Sequence, residues 1–383
     1  MIALPYGRVP YPLDLGDRRV TYVHPPALPS PPALHALLDT ALDQPIASPR
    51  IEHLVARCAA VTLIVSDATR IDPRAAFVTA LRRRLPEARW TVAIANGTHR
   101  PAGLGRLGLP HDFIASAVVV DHDSLDEREL VQLGTTSRGT PVRVHRCVVE
   151  TDLVIAAGCI RPHYFAGFGA GVKAIFPGLG GARGIRINHA LKAEPGARAG
   201  IVDENPCRLD LEEAVSLVPS PTFLLNGVCA SDGLVHAAVA GDLVRAFRVG
   251  AARARAWSTV RAPVADIVIA SDVPPITDSL YQSAKIAAAT TALVRSGGML
   301  ILVAECAEGI GPLQIVNEAI FRIGILPRLA AGVRICLVSS LNQTDVQATL
   351  VEFASSVASV VNGVMGEVLI IPQASQFLFE SVP

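Results

Sequence analysis

The feature that most constrains this chain is a series of short, unbroken apolar runs, each ending abruptly in a polar or glycine-rich loop. Residues 61–65 run into Ser66-Asp67-Ala68-Thr69-Arg70, and 90–95 into Asn96-Gly97-Thr98-His99-Arg100-Pro101. Residues 117–120 end in Asp121-His122-Asp123, and 153–157 run into Gly158-Cys159-Ile160-Arg161-Pro162-His163-Tyr164-Phe165. Runs of this length without alternation fit strands buried on both faces of a parallel sheet. Helical stretches lie between them. Asp72 is expected to cap a helix, Pro73 fits its first turn, and 74–85 continues it. Helices are also expected near 32–39 and 51–59, and a sheet-edge strand at 142–149.

After a glycine-rich segment at 167–184 and a polar stretch, a strand is expected at 222–228 and a helix at 243–260. Pro263 marks a boundary. A second series follows: 265–270 into Ser271-Asp272-Val273-Pro274-Pro275, a helix at 280–293 ended by Gly297-Gly298, then strands at 299–304, 335–339 and 368–371. LIVSD at 63–67 resembles VIASD at 268–272, which reads as two similar strand-to-loop units. The alternation predicts an α/β chain of two domains with doubly wound, largely parallel sheets. The first is expected over 1–260, completed by the C-terminal tail 370–383; the second, smaller, over 261–369.

Composition narrows the function classes. The 383 residues suit about two domains of roughly 100–200 residues, large enough to need no disulfide or metal staple. Half the residues are hydrophobic and mean hydropathy is +0.41, yet no apolar run approaches the roughly 18 residues of a spanning helix. The early prolines Pro5, Pro10 and Pro12 do not resemble a signal peptide. Lys plus Arg equals Asp plus Glu at 34 each, which argues against a nucleic-acid or membrane-surface binder. Seven scattered cysteines without a C-x-x-C pair fit reduced thiols in a cytoplasmic protein. Cys159 reads as a small core residue.

Only three of the 34 basic residues are lysines: Lys173, Lys192 and Lys285. Arginine therefore serves wherever any cation will do, and a retained lysine points to a need for a primary amine. Lys192, beside Glu194 in a polar stretch, is read as a chance survivor. Lys173 and Lys285 stand among more suggestive neighbours.

In open α/β sheets, ligands bind at the carboxyl ends of the strands. The loops SDATR, NGTHRP and GCIRPHYF would converge there, bringing together Asp67, Arg70, His99 and His163. Asp67 or Thr69 could equally satisfy backbone groups at a helix start. His24, His35, His53, His111, His145 and His236 are read as structural, and His122 is left open. The segment 166–181 contains Gly169, Gly171 and Lys173. It is not a P-loop, because Ala174 follows the lysine. A phosphate cradle and a close-packing loop fit its glycines equally well. No zinc pattern fits; one imidazole with a non-protein ligand would suit nickel, copper, iron or zinc.

Taken together, SDATR, NGTHRP, RPHYFAGFGAGVKAIFPG, Asn188-His189 and Tyr281-Gln282-Ser283-Ala284-Lys285 resemble the nickel-dependent lactate racemase (LarA) family. The order matches, as does the spacing of ten residues from His163 to Lys173 and sixteen more to His189. The resemblance implies an active-site cleft between two α/β domains. It implies a nickel pincer nucleotide, pyridinium-3-thioamide-5-thiocarboxylic acid mononucleotide, made by dedicated biosynthesis enzymes. Lys173 would tether it and, through it, belong to the nickel site; His189 would complete the nickel coordination. Asp67, Thr69, Gly169 and Gly171 would line the cofactor site. His99 and His163 would be the acid/base pair, and Arg70, Tyr281, Gln282 and Lys285 would bind a small 2-hydroxy acid. The family's glycine loop often carries a base just before the lysine, where this chain has Val172. A homo-oligomer is left open.

The chemistry agrees with these roles. The Cα proton of a 2-hydroxycarboxylate is very weakly acidic, so hydride removal coupled to loss of the hydroxyl proton is easier. A neutral histidine can take that proton, and two of them serve the two mirror images. Two other readings use the same residues. A nucleotide-dependent hydroxy-acid dehydrogenase would need a better dinucleotide fingerprint and would show net oxidation. A non-enzymatic binding protein would be indifferent to loss of both histidines.

Overall fold

In the computed structural model, which describes residues 2–101, 103–105, 107–362 and 364–382, the apolar runs form two six-stranded sheets. The first has the spatial order Val235–Gly241, Thr222–Cys229, Leu153–Ile160, Ala60–Ser66, Arg89–Ala95, Val118–Asp121. All its pairings are parallel except the edge strand Val235–Gly241. Every residue of Leu153–Ile160 is buried, which is why its sequence shows no alternation. The chain winds outward from Ala60–Ser66 in one direction, then returns to Leu153–Ile160 and winds the other way. The crevice outside the carboxyl ends of these two strands is a topological switch point, where open α/β sheets bind ligands.

The second sheet has the order Glu352–Ala354, Arg334–Val338, Val294–Val303, Ala265–Ser271, Val368–Ile371, Val20–Tyr22, all parallel. The chain accordingly divides into one unit of Leu28–Trp257 and another made of the residues up to Ala27 together with those from Ser258 onward. The α/β class and the largely parallel sheets are as expected. The boundary near 260 falls close to the observed one, but the tail is a correction. Leu378–Val382 pairs with Thr259–Pro263, and Val368–Ile371 with Ala265–Ser271. The tail therefore completes the second unit, as do the first 27 residues, whose strand Val20–Tyr22 covers the edge beside Val368–Ile371.

Other local expectations also change. The 51–59 helix is a single 3-10 turn, Ile51–His53. The strand expected at 142–149 is Pro141–His145, paired antiparallel with Leu130–Thr135 in a separate hairpin. Asp72 does not cap the helix Arg74–Arg84, whose N-cap is Pro73 without a side-chain bond. Its carboxylate is engaged instead by Ser66 Oγ at 2.7 Å and Arg161 at 2.8 Å. Among the described residues no helix is long and apolar enough to cross a membrane.

One buried carboxylate ties the frame behind the candidate site. Asp210, on the helix Pro206–Ser216, accepts from Thr136 Oγ1 at 2.5 Å, Thr140 Oγ1 at 2.8 Å and Asn188 Nδ2 at 2.8 Å. It thereby joins the hairpin's turn to the helix Ala182–Ala190. Asp210→Ala would strand three buried donors, each costing about 1–3 kcal/mol. The expected result is a loss of about 3–5 kcal/mol, read as a lower urea midpoint at unchanged slope, with a smaller loss for Asp210→Asn.

Candidate active site

The loops leaving Ala60–Ser66 and Arg89–Ala95 meet through a short polar chain. Asp67 Oδ1 accepts from the Thr69 backbone N–H at 2.9 Å and from Thr69 Oγ1 at 2.6 Å. Thr69 Oγ1 in turn accepts from Arg70 at 2.8 Å. Asp67 Oδ2 lies 2.5 Å from His99 Nδ1. The turn-forming role of Asp67 and Thr69 is therefore real, and it coexists with a contact to the imidazole. Burial pushes the Asp67 carboxyl up, but the His99 hydrogen bond, the Arg70 and His99 charges and Thr69 outweigh it, holding it well below the usual carboxylate range. An ionised carboxylate only accepts, so the His99 proton sits on Nδ1 and Nε2 is the basic nitrogen.

His163 has the opposite arrangement. It lies on Pro162–His163, paired antiparallel with Gly167–Phe168 in a tight reversal. The Ala166 backbone N–H donates to His163 Nδ1 at 3.3 Å. The neutral ring therefore carries its proton on Nε2. When neutral, His99 and His163 are thus held in complementary tautomers, with the lone pair at Nε2 of one and an N–H at Nε2 of the other.

Phe165 is the hub of the remaining residues. The His163 and His189 rings stand edge-on to it at 4.6 and 4.9 Å. The Lys173 and Lys192 ammonium groups lie 5.3 and 5.4 Å from its centroid. Burial, then the charges of Arg208 and Arg70, bring the Lys173 amine down to about 7, so a large fraction of it is neutral and nucleophilic near neutral pH. Burial and the neighbouring lysines push the His189 imidazole well below its ordinary range, and its buried Nδ1 has no hydrogen-bond partner. A neutral imidazole is the form that ligates metals.

The glycine loop owes its shape to side chains packed against its backbone. Gly171 has φ +63°, and a Cβ there would come within 2.6 Å of Phe247, so only glycine fits. Its N–H donates to Asn226 Oδ1 at 3.1 Å. Gly169 is less constrained; the nearest atom to a Cβ there is at 3.8 Å.

Several positioning residues gave no sequence signal, because arginine is common throughout the chain. Buried Arg74 donates to the carbonyls of Ser66 at 2.9 Å and Arg70 at 2.7 Å, and also to that of Asp67. Fully buried Arg208 donates to the carbonyls of Ala166 at 3.3 Å, Ala170 at 3.5 Å and Phe168. Its guanidinium stacks 4.2 Å from the Phe247 centroid. Lys192, read from sequence as a chance survivor, is buried against Phe165. Asn96 was also missed; it bonds Asp121 and His122 O at 2.7 Å each and anchors the loop that carries His99.

In the other unit, Tyr281, Gln282 and Lys285 share the helix Leu280–Thr290, started by Ser279, whose hydroxyl accepts from the Gln282 N–H. Buried Gln282 accepts from the Lys285 ammonium. Helical spacing aligns these three on adjoining turns.

Fold and site together define an α/β protein with two histidines on loops at a sheet switch point and with lysines and an imidazole gathered around Phe165. Residues 6–200 match the family model described as lactate racemase N-terminal domain. A lactate racemase of Thermoanaerobacterium thermosaccharolyticum is 32% identical over 322 residues, spanning 81% of this chain and 75% of that protein. A lactate racemase of Lactiplantibacillus plantarum is 31% identical over 283 residues, spanning 72% and 66%. The chain belongs to the lactate racemase family. The lactate racemase apoprotein of T. thermosaccharolyticum superposes with TM-score 0.86 at 28% identity, covering 99% of each chain. A Thermotoga maritima protein of 16% identity shares the fold, with TM-score 0.72 over 93% of this chain and 100% of that one.

The depressed Asp67 carboxyl carries a stability signature. Its folded value lies below its unfolded one, so its contribution is present above the ordinary carboxylate range and is lost as pH falls through the folded value. The difference in unfolding free energy between the parent and Asp67→Asn is expected to shrink between about pH 5 and pH 3. Urea titrations across that range give the test; a gap that widens toward low pH would contradict the ionised assignment.

Proposed function

We propose that this chain is a racemase or epimerase of a 2-hydroxy acid, with lactate the first substrate to test, and that it works with a nickel pincer nucleotide. The observation that carries the reading is the pair of histidines held in complementary tautomers, His99 by Asp67 and His163 by the Ala166 N–H. The residues present fit the cofactor. Lys173 offers an amine whose affinity for its proton is lowered to about 7, so that a neutral fraction is present for a tether near neutral pH. His189 offers a neutral imidazole with an unpartnered buried nitrogen, and imidazole suits nickel. Gly169 and Gly171 shape the loop that carries Lys173, Gly171 through its packing on Phe247 and its bond to Asn226. When bound, the cofactor would supply a hydride acceptor for the substrate Cα–H.

The chain's own groups act on the rest of the substrate. The basic Nε2 of His99 takes the hydroxyl proton of one enantiomer, while Asp67 stabilises the imidazolium that forms. His163, protonated on both ring nitrogens once the 3.3 Å contact from the Ala166 N–H opens, returns a proton to the oxygen when the other enantiomer is made and is left neutral. In the reverse direction the two exchange roles. Proton transfer of this kind contributes roughly 10²–10⁴-fold to rate. Arg70 suits the carboxylate through paired charge-assisted hydrogen bonds, and Tyr281, Gln282 and Lys285 are assigned to the remaining substrate contacts.

Coexpression with the pincer-cofactor biosynthesis enzymes, followed by chiral chromatography of lactate, tests the reading. Either pure enantiomer is expected to become a mixture of both. His99→Ala and His163→Ala are each expected to slow this by about 10²–10⁴-fold. Denatured intact-mass spectra are expected to carry an adduct that Lys173→Ala lacks. A double histidine variant that racemises at the parent rate, or net oxidation with added NAD, would overturn the mechanism.

A further inference from the structure

We propose that His122 is a positioning residue, whose ring fixes the start of the helix that carries His189 against the turn that carries His99. The inference rests on the reading above, in which those two histidines work in one site. His122 stands in Asp121-His122-Asp123, where the edge strand Val118–Asp121 ends, and only 1% of it is exposed. Its Nε2 lies 3.0 Å from the Gly180 carbonyl. A carbonyl only accepts, so the ring proton sits on Nε2. Nδ1 is then a bare acceptor, buried and without a hydrogen-bond partner among the described residues. Burial, joined by the His145 charge, holds the imidazole below its ordinary range, against the Gly180 bond and the charges of Asp123 and Asp121. A hydroxyl would satisfy the same carbonyl without stranding a buried nitrogen, which is unfavourable. What the imidazole adds is rigidity: few torsions place its donor, and the His145 ring stands edge-on to it at 5.9 Å.

The bond joins two parts of the site. Gly180 lies between Lys173 and the helix Ala182–Ala190, of which His189 is the last residue but one. The turn after His122 grips the same place again, since the Ser124 carbonyl accepts from the Ala182 N–H at 3.0 Å. On the other side, the His122 carbonyl accepts from Asn96 Nδ2 at 2.7 Å. The Asn96 carbonyl in turn accepts from the His99 N–H at 2.9 Å. Residues 122–124 therefore form a bracket with one arm on the His99 turn and the other on the first residue of the His189 helix. The Gly97 N–H also donates to the Gly178 carbonyl at 2.9 Å. That single contact would let the two segments pivot; the His122 bond, at a second point, removes the freedom.

The test compares three variants. His122→Gln can place an amide N–H where Nε2 was, whereas His122→Asn stops short of Gly180 and His122→Phe has no donor. In the cofactor-free full chain, isotope-labelled at histidine, NMR follows the proton between His99 Nδ1 and Asp67. Its resonance is expected to stay in place in His122→Gln and to shift or broaden in the other two. In the loaded enzyme, His122→Asn and His122→Phe are expected to lower kcat for lactate racemisation by roughly ten- to hundredfold per bound nickel, with KM within about twofold of the parent. His122→Gln is expected to recover most of kcat. Equal kcat and an equal His99 signal in His122→Gln and His122→Asn would overturn the assignment. So would losses in all three variants that track melting temperature while the His99 proton stays in place, since that marks a structural role alone. A loaded parent that does not racemise lactate would overturn the reading above; the His99 proton in the cofactor-free chain would still decide whether His122 positions that turn.

Discussion

The salt bridge between Asp72 and Arg161 joins the two loops that leave the first sheet where its winding reverses. Arg161 reaches the Asp72 carboxylate at 2.8 Å and the Ile71 carbonyl at 2.6 Å, while the same carboxylate takes the Ser66 hydroxyl. Both side chains are largely withdrawn from water. Breaking such a pair from one side leaves an uncompensated charge, at a cost of about 3–5 kcal/mol. The bridge thus fixes the Asp67–Arg70 turn relative to the strand end that carries His163. The placement of the two histidines depends on that register, because His99 is positioned by Asp67 and His163 by the reversal that begins at Arg161.

Around this clamp the site separates its charges. On one side an ionised carboxylate, a hydroxyl and a guanidinium satisfy one another and orient an imidazole. On the other, cations and aromatic rings gather: Phe165 meets Lys173, Lys192, His163 and His189. Neighbouring cations and burial keep His189 neutral and draw down the Lys173 amine. Such an environment keeps the imidazole neutral and leaves part of the amine unprotonated near neutral pH.

The sequence made some of this legible and hid the rest for physical reasons. Strands such as Leu153–Ile160 announce themselves because burial on both faces demands continuous apolar residues. The loops that follow them carry chemistry because polar groups at strand ends have no sheet to enter. Three-residue strands such as Val20–Tyr22 hold no periodic signal, so the return of the first residues and of the tail to the second unit was invisible. Asp72 looked like a helix cap because capping is the commonest use of an aspartate before a proline. Its partner, Arg161, lies 89 residues away. Arg74, Arg208 and Lys192 were hidden by composition and by polar neighbours, since burial of a charge depends on distant chain. Asp210 was hidden likewise, its three donors lying on other elements.

The paired phrases LIVSD and VIASD show how one backbone device is turned to two uses. Both end in Ser-Asp at the strand beside which the winding of its sheet reverses: Ala60–Ser66 in the first, Ala265–Ser271 in the second. In each, the aspartate gathers nearby groups where the chain leaves the sheet. Asp272 accepts from the backbone N–H groups of Val273 and Ser375 at 2.9 and 2.8 Å, tying down the turn after Val368–Ile371. Full burial pushes its carboxyl up, against those bonds and the Lys285 charge. Asp67 holds a similar turn, but His99 and Arg70 reach it, and its carboxyl moves the opposite way. The Ser-Asp ending is therefore a device for closing a switch point. What sets the first copy apart is the imidazole that the neighbouring strand delivers to its carboxylate.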